Sequence, residues 1–228
     1  MRLLRMAREQ GLDVAGLCFH VGSQSTNVKA YRNALKISRQ LFDAAAAEGF
    51  NLRILDIGGG FPIPSLSEEV DAVNMMKSIQ RCIDEHFPET EIWAEPGRFI
   101  CGTAVNLITR VIGTQVRNGQ PWYFLDDGLY GTFSGVIFDH WDFHLETFKK
   151  AKKVAATIAG PSCDSLDILF TEKLIEPLEM EDIILVPNCG AYTSASATVF
   201  NGFSKTQIVV WEDVKGEMMA DSVVLASA

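Results

Sequence analysis

The chain has 228 residues, 20 of them basic and 29 acidic, and its formal net charge of −9 disfavours binding to a phosphate backbone. A hydrophobic content of 47% supplies a real core and excludes a mainly disordered chain. No apolar run approaches the roughly 20 residues of a membrane span, so nucleic acid and membrane are both excluded as expected partners.

The opening residues MRLLRMAREQ put Leu3, Leu4, Met6 and Ala7 on one helical stripe that ends at Gly11, and they lack the apolar centre of a signal peptide. VAGLCFHV (14–21) then reads as a strand buried on both faces. Helical spacing of Val28, Tyr31, Leu35, Leu41, Phe42 and Ala45 predicts a helix over 28–48, capped by Thr26 or Asn27 and stopped by Gly49. LRILDI (52–57) is the next strand, and Gly58, Gly59 and Gly60 follow it. A second helix is expected over 68–86, opened by Ser67 with Glu68 and Glu69 in its first turn, before the strand EIWAE (91–95). This alternation is the pattern of a parallel sheet. His20, Gly58 and Glu95 fall at nearly even intervals where the strands stop, which suits a (β/α)8 barrel, with a doubly wound sheet as the alternative.

Beyond residue 100 the rhythm changes to short β-type runs: AVNLITRVIGTQV, PWYFLDD, KKVAATIAG, DIILVP and TQIVVWED. The expectation is an antiparallel β domain with one short helix over 166–173. The fold class is thus α/β plus all-β, with a barrel portion over 1–100 and a β domain over 101–228. Five cysteines, Cys18, Cys82, Cys101, Cys163 and Cys189, form no CxxC. That argues for free thiols in a reducing, cytoplasmic setting, and no metal ligand set is expected.

Several residues are of chemical types. Three glycines after a strand can cradle a phosphate with main-chain N–H groups, or can make a tight turn before Pro62. Glu95 and Arg98 flank a Pro-Gly turn, either as an ion pair or as a proton holder beside a phosphate ligand. His20 reads as a hydrogen-bonded core histidine. His140 and His144 have metal-like spacing without a second signature. Cys163 stands beside Asp164, whose charge raises the thiol pKa and suits proton donation better than nucleophilic attack.

Taken in order, FHVGS (19–23), GGGFP (58–62), EPGRF (95–99), DGLYG (127–131), FDH (138–140), GPSCDSLD (160–167), GAY (190–192) and FNGF (200–203) resemble the ornithine decarboxylases of the alanine-racemase-like, pyridoxal-phosphate family. The resemblance runs from about residue 1 to about 211. It implies a (β/α)8 barrel followed by a β domain, with pyridoxal 5'-phosphate (PLP) as cofactor. By the same resemblance, His20 stacks on the pyridine ring. Ser23, Gly58, Gly59, Gly60, Arg98 and Tyr192 hold the phosphate, and Glu95 keeps the ring nitrogen protonated. Asp139 and Asp164 hold the distal ammonium of a basic amino acid, Tyr130 and Phe200 shape its pocket, and Cys163 returns a proton to Cα.

Cys163 and Asp164 are lent between subunits in this family, so the resemblance also implies a homodimer. Phe138 departs from the tyrosine common before that aspartate. The Schiff-base lysine of the family lies in an upstream motif like Ala-Val-Lys, and no such segment occurs here. The expected reading is the C-terminal part of a decarboxylase converting L-ornithine to putrescine, inactive as this fragment alone. The alternatives are dual lysine/ornithine specificity, and a non-catalytic homologue that regulates a full-length partner.

Overall fold

The computed structural model describes residues 1–63 and 71–215. The first series of elements is α1 (Arg2–Glu9), β1 (Gly16–Cys18), α2 (Val28–Ala47), β2 (Ile54–Asp56), α3 (Ala72–His86), β3 (Glu91–Trp93) and α4 (Gly97–Cys101). The second is β4 (Leu107–Arg117), β5 (Gln120–Leu125), α5 (Gly135–Phe138), β6 (Glu146–Thr147), β7 (Val154–Ala159), β8 (Ile168–Ile175) and β9 (Ile183–Val186). Among the described residues no helix is long and apolar enough to cross a membrane.

Strands β1, β2 and β3 form a parallel sheet in sequential order, as the βαβ pattern predicts. The heptad-like spacing of α2 turns Tyr31, Leu35 and Phe42 onto Leu55 and Ile57 of the sheet, where they meet Met75, Ile79 and Ile83 of α3. Asn27 caps α2 by accepting from the Lys29 N–H at 3.0 Å. At the other end Gly49 takes φ +77°, and the Phe50 N–H reaches the Ala45 carbonyl at 3.0 Å. Helix α3 starts later than its sequence predicts, at Ala72, with Asp71 as its cap. Ser67, Glu68 and Glu69 lie outside the described residues.

Two expectations for this half need correction. The first strand is short and is not buried on both faces, because β1 and β3 are the edges of a three-stranded sheet and Cys18 is exposed. Along α1, Leu4 is buried but Leu3 and Met6 are exposed. The helix is held instead by a forked pair between Arg5 and Glu48, at 2.6 and 2.7 Å.

The second half forms a six-stranded sheet ordered β6-β9-β4-β5-β7-β8. It is mixed, where the sequence suggested antiparallel: β5 and β7 run parallel. The long connection through α5 and β6 carries the chain back to the same end, which a hairpin cannot do. The helix expected over 166–173 is also wrong, since that segment is β8. Between the β7 pairs Ala156↔Lys173 and Ile158↔Phe170 the partner strand holds an extra residue, and Glu172 takes φ +54° there. This bulge breaks the two-residue alternation and leaves a sequence whose apolar spacing looks helical. TQIVVWED forms no strand either: it is irregular through 210 and helical over 211–215, and among the described residues no strand pairs with it. High β propensity without a pairing partner makes no strand.

The second core gathers Val111, Leu125, Phe133, Ile158, Ile184 and Val186. It meets the first half where the Gly190 N–H bonds the Gly102 carbonyl at 3.0 Å. A Cβ on Gly190 would lie 1.7 Å from the Cys101 carbonyl oxygen, so the main chains touch. Leu35 is wholly buried between α2, α3 and the sheet. Leu35→Ala is expected to lower the unfolding free energy by about 2–5 kcal/mol, read from denaturant titration.

Candidate active site

The site forms where the parallel strands end. The Phe19 N–H bonds the Asp56 carbonyl at 3.0 Å, and the Ile57 N–H bonds the Trp93 carbonyl at 2.9 Å, so the three chain exits stay side by side. His20 follows at the first exit. Its Nδ1 accepts from the Gly22 N–H at 2.9 Å, which places the proton of the neutral ring on Nε2. His20 is exposed here rather than a core residue, because β1 is a sheet edge.

At the second exit, Gly58 and Gly60 take φ +65° and +89°. Side chains on Gly59 and Gly60 would put Cβ 2.6 Å from the Glu95 carbonyl oxygen and 2.1 Å from that of Gly22. Both the tight turn and the close approach read from the sequence are therefore present. Gln24, which sequence reasoning passed over, ties this loop to the first by accepting from the Ile63 N–H at 2.9 Å and donating to the Ile63 carbonyl at 3.1 Å.

Glu95 sits at the third exit, with its N–H on the Gly58 carbonyl at 2.9 Å. Its carboxylate converges with Cys18 and Asp56, all three ligand atoms lying within 4.8 Å of one another. Register explains this, since Cys18 and Asp56 are paired positions on adjacent strands. Desolvation first, then the charges of Asp56 and Glu95, push the Cys18 thiol up. The signal for Cys18 and Asp56 was there in strand-end alignment, but it required the pairing.

Arg98, in α4, is buried. Its guanidinium lies 4.2 Å from the Trp141 ring centroid and 5.1 Å from that of Tyr192. The sequence left open an ion pair between Arg98 and Glu95, but the guanidinium pairs with Asp139 instead, and the Ser23 hydroxyl donates to the same Asp139 oxygen at 3.2 Å. His20, Ser23, Gly60, Glu95, Arg98, Asp139 and Tyr192 thus line one cavity of about 490 Å³. Ser134 and Ser196, hydrogen-bonded to each other at 2.7 Å, also line it and were not anticipated.

Apart from Gly58 and Gly59 in the turn, the remaining predicted residues do not line that cavity and form a second cluster. The Tyr130 hydroxyl donates to Asp164, its ring stacks on Phe200 at 4.1 Å, and Asn201 Nδ2 donates to Cys163 Sγ at 3.1 Å. Two buried aspartates that sequence reasoning did not assign hold this cluster in shape. Asp127 accepts from the N–H groups of Gly128 at 2.7 Å and Thr132 at 2.9 Å, and Asp167 accepts from Leu129 at 2.8 Å and Ser162 at 3.0 Å. Their place in DGLYG and GPSCDSLD was the available signal. The Leu166 N–H, then the Tyr130 hydroxyl, hold the Asp164 carboxyl below its ordinary value, while the Tyr130 phenol is raised chiefly by donating to Asp164.

Comparison with known proteins identifies the class of this site. Residues 1–102 match the family model described as pyridoxal-dependent decarboxylase, pyridoxal binding domain. The chain belongs to the fold type III, PLP-dependent basic amino-acid decarboxylases. It is 50% identical over 212 residues to the lysine/ornithine decarboxylase of Selenomonas ruminantium, covering 92% of this chain and 54% of that protein. The crystal structure of SrLDC in complex with PLP and cadaverine superposes with a TM-score of 0.87 at 48% identity, covering 98% of this chain and 60% of that one. The lysine/ornithine decarboxylase from Vibrio vulnificus complexed with putrescine gives 0.82 at 37%, covering 91% and 57%. The chain therefore spans little more than half the length of these relatives.

The residues present fit PLP. The glycine cradle leaves main chain open where a Cβ would intrude, and Arg98 Nε is buried with no hydrogen-bond partner among the described residues. An unpaired buried guanidinium N–H matches a phosphate oxygen.

Because the Asp164 carboxyl is lowered, its contribution to stability is present above the ordinary aspartate pKa of about 3.9 and is lost as pH falls through the lower folded value. Tyr130→Phe is expected to raise the Asp164 pKa toward that ordinary value, read from carboxyl carbon shifts in an NMR titration. An unchanged value would show that the Leu166 N–H acts alone.

Proposed function

We propose that the protein containing this chain decarboxylates both L-lysine and L-ornithine, releasing carbon dioxide and giving cadaverine or putrescine. The observation that carries this reading is the conjunction of a PLP-type cavity with 50% identity to a lysine/ornithine decarboxylase. Ornithine alone was the reading from sequence. The named relatives favour the dual alternative, and one methylene discriminates by only about 1–3 kcal/mol in a pocket of this kind.

His20 stacks on the cofactor ring, while Ser23, Gly58, Gly59, Gly60, Arg98 and Tyr192 bind its phosphate. Glu95 holds the proton at the ring nitrogen. PLP supplies an electron sink for the bonding pair left on Cα when carbon dioxide departs. Cys163 returns a proton to Cα. Asp139 and Asp164 bind the distal ammonium of the substrate, their carboxylate oxygens accepting its N–H groups.

Tyr130, Asp164, Cys163 and Phe200 do not line the cavity that contains His20 and Glu95. That separation within one chain supports a homodimer in which the second cluster completes the cavity of the other subunit. Free cysteines support a reducing, cytoplasmic location.

In the PLP-loaded full-length protein, kcat/KM for lysine and ornithine is expected to agree within about tenfold when measured by carbon dioxide release. A preference above about a hundredfold for ornithine would restore the single-substrate reading. No turnover of either amino acid, with PLP retained, would leave the non-catalytic homologue. Glu95→Gln is expected to lower kcat by about a hundredfold or more with a smaller loss of PLP affinity, compared by steady-state kinetics and cofactor titration.

A further inference from the structure

Helix α2 sends one side chain into the back of the glycine turn. The Tyr31 hydroxyl donates to the Gly59 carbonyl at 2.9 Å. Tyr31 is wholly buried and its ring stacks on Phe61 at a centroid distance of 5.3 Å. Burial pushes the phenol up to about 12, so it stays a neutral donor across the working pH range.

The two flanking carbonyls are held as well. The Glu95 N–H bonds the Gly58 carbonyl at 2.9 Å, and the Ser25 N–H bonds the Gly60 carbonyl at 2.8 Å. None of these peptides is cis. Across a planar trans peptide the carbonyl and the following N–H point in opposite directions. Anchoring the carbonyls of Gly58, Gly59 and Gly60 therefore aims the N–H groups of Gly59, Gly60 and Phe61 the other way. Gly60 and Phe61 line the cavity with Ser23 and Arg98. Two of the three anchors are main-chain groups, which persist whatever residues stand there. The third is a side chain, and it belongs to Tyr31.

We infer that Tyr31 is a positioning residue for the phosphate of the cofactor: by fixing the Gly59 carbonyl it turns the Gly60 N–H toward the phosphate oxygens. It touches neither cofactor nor substrate. The inference rests on the PLP reading of the site and adds a determinant outside the cavity. Losing the hydroxyl leaves a buried carbonyl without its donor, and a peptide flanked by glycines is free to rotate. The damage falls on the phosphate and spares the pyridine ring, which His20 and Glu95 contact from other strands.

The test titrates apo full-length protein with PLP and with pyridoxal, which lacks the phosphate, following cofactor absorbance and fluorescence. Tyr31→Phe keeps the ring stack and volume. It is expected to weaken PLP on the order of tenfold and to leave pyridoxal affinity unchanged. Placing p-aminophenylalanine at position 31 keeps a donor of the same reach and is expected to restore PLP affinity. If Tyr31→Phe does not fold, the p-aminophenylalanine protein carries the comparison, and a PLP-specific loss there overturns the inference. Unchanged PLP affinity in Tyr31→Phe, or equal weakening of PLP and pyridoxal, also overturns it, the second by reducing Tyr31 to a packing role. Failure of the unmodified protein to bind PLP would instead strike the cofactor reading itself.

Discussion

At the mouth of the parallel sheet, main chain runs against main chain with no side chain between. The Gly58–Gly60 segment passes so near the β1 and β3 exits that a Cβ on Gly58 would stand 2.1 Å from the Phe19 carbonyl oxygen, and one on Gly59 2.6 Å from that of Glu95. This contact keeps the three chain exits close together, so that His20 and Glu95 line the same cavity. A residue with a Cβ at either position would force the exits apart, and the residues they carry would no longer converge. The hydrogen bonds behind the turn preserve an arrangement that sterics alone would permit but not orient.

The charge of Arg98 ties the two halves together. A buried guanidinium needs compensation, and in this fold the carboxylate comes from Asp139, beyond the second sheet's first hairpin. Trp141 and Tyr192, also from the second half, flank the same group. The packing of the β sheet against α4, through the contact at Gly190, therefore decides whether Arg98 is presented to the cavity in a fixed pose. The cavity is lined from both halves, and the β half holds Arg98 in place.

The second cluster is organised by different physics. Asp127 and Asp167 are buried acceptors that each take two main-chain N–H groups, with the Thr206 hydroxyl also donating to Asp127, so they act as the local scaffold of two loops. The Gly128 and Gly160 positions accommodate Asp167, whose carboxylate would lie 2.4 and 2.2 Å from a Cβ at those sites. Tyr130 and Asp164 are thereby brought together from segments 34 residues apart. Exposure of Phe200 and Cys163 beside them leaves this surface open to whatever completes it.

The order of the motifs, the helices α2 and α3 and the parallel strands were legible in the sequence, because periodicity, caps and glycine stops are local properties of the chain. So were the residue types of the site, since a glycine run, a strand-end carboxylate and a histidine carry their chemistry wherever they fold. The parallel pairing of β5 with β7 and the bulge that makes a strand of 168–175 were not legible, because pairing between distant segments leaves no local period. Nor could spacing reveal that Arg98 would take Asp139 as its partner rather than Glu95, or that Tyr130 and Asp164 would stand apart from His20. Sequence by itself determined which groups this protein owns and the kind of cofactor they suit. Tertiary structure decided which of them meet, because main-chain approach and buried charge compensation act between residues that neighbour one another only in space.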